Sequence, residues 1–138
     1  LIFLLSVPQE FFEAKSSLMS SAKLFLSFFQ KEPSITTSAH GRVNLIGEHT
    51  DYNNGFVLPS LIPQSLQVSI SLRDDDKIIG FSSEFGELQS SISSSNDGTW
   101  LDFVRGAIYF CQKISPSIKG MDLAVSSSIP SGSGLSSS

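Results

Sequence analysis

A single cysteine, Cys111, stands in the 138-residue chain. A lone thiol excludes an internal disulfide, a zinc knuckle and a CxxC redox motif, and it fits a reducing compartment, so the chain reads as cytoplasmic. Charge is scarce as well. Charged residues make up 16% of the sequence, below the rough quarter of an ordinary soluble domain, and they leave a net charge of −4 and a pI near 5.0. No Lys/Arg-rich run occurs, which argues against duplex nucleic acid or an anionic membrane surface as the main partner. A small polar ligand remains open. Long apolar runs are also missing. The opening LIFLLSV is far too short to span a bilayer and lacks the cationic n-region and small-residue cleavage site of a signal peptide, so it reads as a buried lead-in. The chain does not begin with Met and stops on GLSSS, and it is expected to be a piece of a longer protein.

What is present suffices for one globular domain. The apolar content is 40%, enough to fill a core at this length. From about Pro8 to Gln30 the residues Phe11, Leu18, Phe25 and Phe29 fall on one helical face, with Ser6 and Gln9 at capping-box spacing. LQVSISLR alternates, with Leu66, Val68, Ile70 and Leu72 on one side. DDDK then turns the chain into IIGFSS, which predicts a hairpin of these two strands. Leu88, Ser90 and Ile92 alternate again before a Ser-rich loop, and TWLDFVRGAIYFCQKI predicts a helix boxed by Thr99 and Asp102 and ended by Pro116. Leu101, Val104 and Ile108 on one side of it, and Phe103, Ala107 and Phe110 on another, predict burial on both faces. MDLAVSSSI predicts a last strand. No internal repeat or linker divides the chain.

Polar groups concentrate in GRVNLIGEHTDYNNGFVLP, from Gly41 to Pro59. RVNLIG predicts a short strand with Val43 and Leu45 inward, and Gly47 lets the backbone turn before Glu48, His49 and Asp51. Carboxylates beside an imidazole suit a sugar, because charge-assisted bonds to hydroxyls are roughly twice as strong as neutral ones. Arg42 is a permanent cation that can stabilise charge on a transferred phosphoryl group or an attacking oxygen. Other readings stand beside this one. A metal site is conceivable, but the chain has two histidines and the spacing matches no helical zinc signature. Alternatively, Asp51 and Asn53 make turn bonds and Glu48 is a solvated neighbour.

A second motif, SSSIPSGSGLSSS, runs from Ser126 to Ser138. A strand ending at Ile129 is followed by Pro130, Gly132 and Gly134 at alternate positions and then by Leu135 and three serines. That layout suits a loop feeding a helix N-terminus, where backbone N–H groups and the helix dipole bind anions and serine hydroxyls reach phosphate or Mg²⁺. It is not a Walker A loop, since no Gly-Lys-Ser/Thr follows. The competing reading is a flexible Gly/Ser tail.

Together the two motifs resemble the galactokinase branch of the GHMP family of small-molecule kinases. GRVNLIGEHTDYNNGFVLP is similar to that branch's signature almost letter for letter, and PSGSGLSSS resembles the family's glycine-rich ATP loop, in the expected order. WLDFVRGAI resembles a helix between them, with Phe103 where tyrosine is expected, and His40 stands in place of a usual proline. The resemblance runs from about Ser34 to the last residue. It implies an α+β fold, the N-terminal part of a GHMP-kinase-like domain with a mixed sheet and packed helices. The whole chain, 1–138, is then one truncated domain, and the C-terminal ferredoxin-like domain is absent. By resemblance Arg42 lies near the transferred phosphoryl group and the anomeric hydroxyl, while Glu48, His49 and Asp51 bind sugar hydroxyls. Gly132, Gly134, Ser136, Ser137 and Ser138 cradle the phosphates of ATP, and Ser137 holds Mg²⁺. The implied reaction moves the γ-phosphoryl group of ATP to the C1 hydroxyl of α-D-galactose. The implied partners are galactose and ATP, with neither nucleic acid nor membrane, and a monomer is expected.

The resemblance also places a catalytic aspartate and much of both pockets downstream of the glycine loop, so the chain alone is expected to be inactive. Three alternatives remain at this point: a catalytically silent sensor of galactose and ATP, a kinase for N-acetylgalactosamine or another hexose, and a gene fragment without function that aggregates through exposed apolar faces.

Overall fold

The computed structural model describes residues 19–47 and 49–132, with Asp51 described by its backbone. Residues Ser20 to Gln30 show how local chemistry sets an element. The side chain of Ser20 accepts from the Lys23 N–H and caps helix α1, Ser21–Phe29, and Gln30 closes it in the left-handed region at φ 55°. The predicted helix from Pro8 therefore does not run through Ser20, whose backbone is extended. The portion up to Leu18, with Phe11 and the Ser6/Gln9 pair, lies outside the described residues. Five strands follow, β1 (Ile35–Ile46), β2 (Leu58–Leu72), β3 (Lys77–Ser82), β4 (Gly86–Ser91) and β5 (Met121–Ser127), with helix α2 (Leu101–Ile114) between the last two.

The sheet order is β1-β2-β5-β3-β4. β5 is antiparallel to β2 and parallel to β3, so the sheet is mixed. The predicted β2–β3 hairpin is thereby corrected. The chain leaves β2 at Arg73 and wraps over Gly120, where Arg73 N–H donates to Gly120 O at 2.9 Å and Gly120 N–H donates to Asp75 O at 2.6 Å. A Cβ on Gly120 would collide with the backbone of Lys77, so this glycine lets the loop close over the entrance of β5. The true hairpin is β3–β4, turned by Ser82, whose hydroxyl accepts from the Glu84 and Phe85 N–H groups, and by Gly86 at φ +73°.

The two faces of the sheet carry different chemistry. α1 lies on the serine face of β2 and β5. Phe25 is fully buried against Ala124, with Phe29 and Phe81 beside them. Ser21 shares a 2.8 Å hydrogen bond with the buried Ser69, which is also bonded to Thr36 at 2.7 Å. Small hydroxyl side chains let helix and strand approach closely while satisfying one another. Asp122, 2% exposed on this face, is bridged by Lys31 at 2.7 Å and Arg73 at 2.8 Å, which ties the α1–β1 connection and the β2–β3 loop to β5.

The opposite face holds Ile78, Leu101, Ile108 and Leu123 as a core under α2. The Thr99/Asp102 box forms differently from the expectation. Thr99 donates to the carboxylate of Asp97, and Asp102 accepts from the Gly98 N–H and pairs with Arg105, because carboxylates are the stronger acceptors here. The expected burial of both helix faces is also corrected: Phe103 is 70% and Phe110 65% exposed. Phe103 and Val104 flank an open apolar groove of about 1070 Å³ over Leu66, Val68, Ile70 and Leu123. The predicted alternation in β2 is thus present: Ile70 packs against this core, while Leu66 and Val68 line the groove beside it. Among the described residues no helix is long and apolar enough to cross a membrane.

Acid should destabilise this fold. The guanidinium of Arg73 holds the Asp75 carboxyl down to about 2, and hydrogen bonds from Thr99 lower Asp97. Carboxylates depressed in the folded state contribute stability that is complete above their ordinary value and is lost as pH falls through the folded one. Urea midpoints are therefore expected to be level near pH 5 and to drop between about pH 4 and pH 2; Asp75→Asn should flatten that drop.

Candidate sugar and phosphate site

The turn after β1 is locked by its own main chain. Gly47 adopts φ +94°, and an added Cβ would lie 2.5 Å from Phe56 O and 2.7 Å from the Thr50 hydroxyl. Thr50 N–H donates to Gly47 O, and the Thr50 hydroxyl lies within hydrogen-bond reach of the carbonyls of both Gly47 and Phe56, at 3.0 and 2.9 Å. One threonine thus clamps both ends of the loop. A 3-10 turn, Asp51–Asn53, follows, and Asn54 at φ 57° and Gly55 return the chain to β2. The Asn53 side chain donates to His49 O at 2.9 Å, so the turn-bond reading holds for Asn53.

Of the predicted sugar-binding residues, His49 is exposed on this loop with its Nδ1 2.8 Å from the Tyr52 hydroxyl, and Asp51 opens the 3-10 turn. Glu48 lies outside the described residues. Arg42 is exposed on β1 opposite Leu61. Val43 is half-buried, but Leu45 is 50% exposed, contrary to its expected inward position. β1 and β2 here form a two-stranded ribbon beyond β5, which covers neither face of it. The register breaks between His40 and Arg42, opposite the β2 segment that contains Pro63, a residue with no N–H for the ladder. The His40 ring faces the carbonyl of Ile62 in that break at 3.1 Å.

β5 ends against the same ribbon. Ser65 pairs with His40 across β1–β2 and also holds Ser128, with Ser128 N–H donating to Ser65 O and Ser65 N–H donating to Ser128 Oγ, each at 2.9 Å. His40 and Ser128 are therefore two strand spacings apart, about 10 Å. The strand before the glycine loop is where the sequence predicts it, though it closes at Ser127. The start of that loop is set by Ser131, which donates to Glu84 at 2.6 Å, and by Gly132 at φ +68°, where an added Cβ would meet no atom of the described residues within 4 Å. Such a glycine can turn its N–H toward an anion. Gly134, Ser136, Ser137 and Ser138 lie outside the described residues. Among the described residues no group of three His, Cys, Asp or Glu could hold a metal. The parts missed from sequence are the Thr50 clamp and Tyr52; threonine three residues after a glycine, within a turn, was the available signal for the first.

Comparison with known proteins defines the class first. The fold is shared with the crystal structure of Methanococcus jannaschii mevalonate kinase, with a TM-score of 0.60 at 20% identity over 73% of this chain and 34% of that one. It is a mixed α+β GHMP-kinase-like fold, covering part of such a domain. Residues 23–72 match the family model described as the galactokinase galactose-binding signature. A galactokinase of Actinobacillus succinogenes is 40% identical over 124 residues, 86% of this chain and 32% of that protein. The crystal structure of Lactococcus lactis galactokinase complexed with galactose superposes with a TM-score of 0.71 at 32% identity, over 85% of this chain and 32% of that one. The chain is a GHMP-family galactokinase homologue and corresponds to part of the full-length enzyme. It spans about a third of the length of these relatives.

Proposed function

We propose that this chain is the sugar-recognition and phosphate-loop portion of a galactokinase, which transfers the γ-phosphoryl group of ATP to the C1 hydroxyl of α-D-galactose. The carrying observation is that both motifs lie toward one end of the sheet, where Ser65 on β2 holds Ser128 at the end of β5. The β1–β2 ribbon with Arg42 and the His49 turn flanks the point where β5 releases the chain toward Gly132. The identity to galactokinases over most of the chain supports the same reading.

In this account Glu48 and Asp51 accept hydrogen bonds from sugar hydroxyls and His49 completes the set, so the sugar is oriented with its anomeric oxygen toward the nucleotide. That oxygen forms a bond to the γ-phosphorus as the bond to the ADP oxygen breaks, and the hydroxyl proton passes to a base outside residues 1–138, the downstream aspartate that the resemblance implies. Arg42 stabilises the charge that develops on the phosphoryl oxygens. Backbone N–H groups at Gly132 and Gly134, with the hydroxyls of Ser136, Ser137 and Ser138, hold the phosphates. The Gly/Ser donor set fits a triphosphate, and Ser137 would hold Mg²⁺, which when bound offsets phosphate charge. Residues 1–138 form a single, truncated domain in this reading, the enzyme is cytoplasmic and monomeric, and the 138 residues alone are inactive.

The test is ADP release by the full-length protein with a panel of sugars. Galactose should support turnover, N-acetylgalactosamine should support little, and the 138-residue chain should support none. Saturable galactose binding without ADP release would move the protein to the sensor class.

A further inference from the structure

We propose that Glu84 is a positioning residue for the glycine loop, whose carboxylate latches Ser131 and so sets the backbone at Gly132 for phosphate. This rests on the phosphate-loop reading of that segment. The two residues stand 47 positions apart in sequence, yet the Ser131 hydroxyl donates to the Glu84 carboxylate at 2.6 Å. That length belongs to a charge-assisted bond.

The sheet builds the place of Glu84. β3 runs parallel to β5 with Ser82 opposite Val125, and Ser83 N–H extends the pairing by donating to Val125 O at 3.1 Å. The buried hydroxyl of Ser82 then accepts from the N–H groups of Glu84 and Phe85 at 3.2 and 3.3 Å. One acceptor under two successive N–H groups fixes the turn. Glu84 therefore leaves the sheet beside the chain that β5 releases, and that chain is held on its other flank by the bonds between Ser128 and Ser65. Ile129 is buried, and its N–H donates to Ser127 Oγ at 3.1 Å. Beyond this anchor Glu84 supplies a side-chain tie to Ser131, immediately before the φ +68° of Gly132. A glycine has wide backbone freedom, and holding its neighbour removes part of that freedom before an anion arrives.

A carboxylate beside a phosphate loop needs a reason, because its direct effect on a triphosphate is repulsion. Glu84 and Ser131 are both exposed, and exposed charges are screened over about 8 Å at physiological ionic strength, which keeps that repulsion small. The two effects differ in sign. Positioning predicts that removing the acceptor weakens nucleotide binding, and repulsion alone predicts that it tightens binding.

The experiment is titration of the full-length protein with Mg²⁺ and a non-hydrolysable ATP analogue in the absence of sugar, so the identity of the acceptor does not enter. Glu84→Ala is expected to raise the Kd about three- to tenfold, the worth of one hydrogen bond. Glu84→Gln keeps an oxygen that accepts from Ser131 and should bind as the native protein does. Ser131→Ala should lose as much as Glu84→Ala, and the double variant no more than either, since both remove the same bond. Tighter or unchanged binding in Glu84→Ala, a loss in Glu84→Gln equal to that in Glu84→Ala, or additive losses in the double variant would overturn the proposal. Native protein that binds no nucleotide would remove the phosphate-loop reading and the proposal with it, whereas native binding left unchanged by Glu84→Ala removes the proposal alone.

Discussion

Gly47→Ala is expected to lower stability by about 3 kcal/mol and to remove galactose binding, which makes it the most damaging single methyl group in the loop. Two costs combine. At φ +94° an L side chain is strained wherever it points, and the new Cβ would stand 2.5 Å from Phe56 O and 2.7 Å from the Thr50 hydroxyl. Neither neighbour can yield cheaply. The carbonyl belongs to the return of the chain toward β2, and the hydroxyl is the clamp across the loop. Relief comes by opening the turn, which displaces His49 and the 3-10 turn begun by Asp51. Urea denaturation and galactose titration of the same variant measure the two losses. Thr50→Ser keeps the hydroxyl and should retain binding, whereas Thr50→Val removes it and should weaken binding.

Arg42→Ala in the full-length protein is expected to cut kcat about 10²- to 10³-fold, the usual consequence of removing one preorganised group from developing charge. KM for galactose should change far less, because the guanidinium is assigned to the phosphoryl group rather than to the sugar hydroxyls. Stability should hold. Among the described residues Arg42 forms no ion pair and is exposed on β1, so its truncation leaves no buried partner behind. Steady-state kinetics with both substrates, together with a thermal melt, separate these outcomes. A large fall in melting temperature would assign Arg42 to the fold instead.

The parts of this molecule legible in its sequence are those governed by neighbours in the chain. The alternation of Leu66, Val68, Ile70 and Leu72 has period two, and the strand it predicts is there, although longer than LQVSISLR because the ribbon with β1 extends it. Gly47 marks a turn that needs a positive φ, and its place before the His49 loop follows from that requirement alone. The failures are non-local. β2 and β3 look like a hairpin across DDDK, yet β5 inserts between them from some fifty residues downstream. At the entrance of β5, Gly120 approaches the Asp75–Lys77 backbone too closely for any side chain, a contact that no local pattern announces.

Helix α2 shows the same limit from the other side. Apolar residues on two faces do not say which face is covered, and here Leu101 and Ile108 are buried while Phe103 and Phe110 are not. In the candidate site, the residue types of Arg42, His49 and Asp51 suggest sugar and phosphate chemistry, and the sequence alone places His49 and Asp51 on one turn. The pairing of His49 with Tyr52 was not legible there, because it depends on the 3-10 geometry of Asp51–Asn53, which brings the two rings together three residues apart.

The most direct measurement is phosphorus NMR of the full-length protein incubated with ATP, Mg²⁺ and galactose. The account predicts a new phosphomonoester resonance coupled to the anomeric proton of the sugar, together with ADP, and its loss in Arg42→Ala. A product phosphorylated at another hydroxyl, or no sugar phosphate while galactose binds saturably, would contradict it.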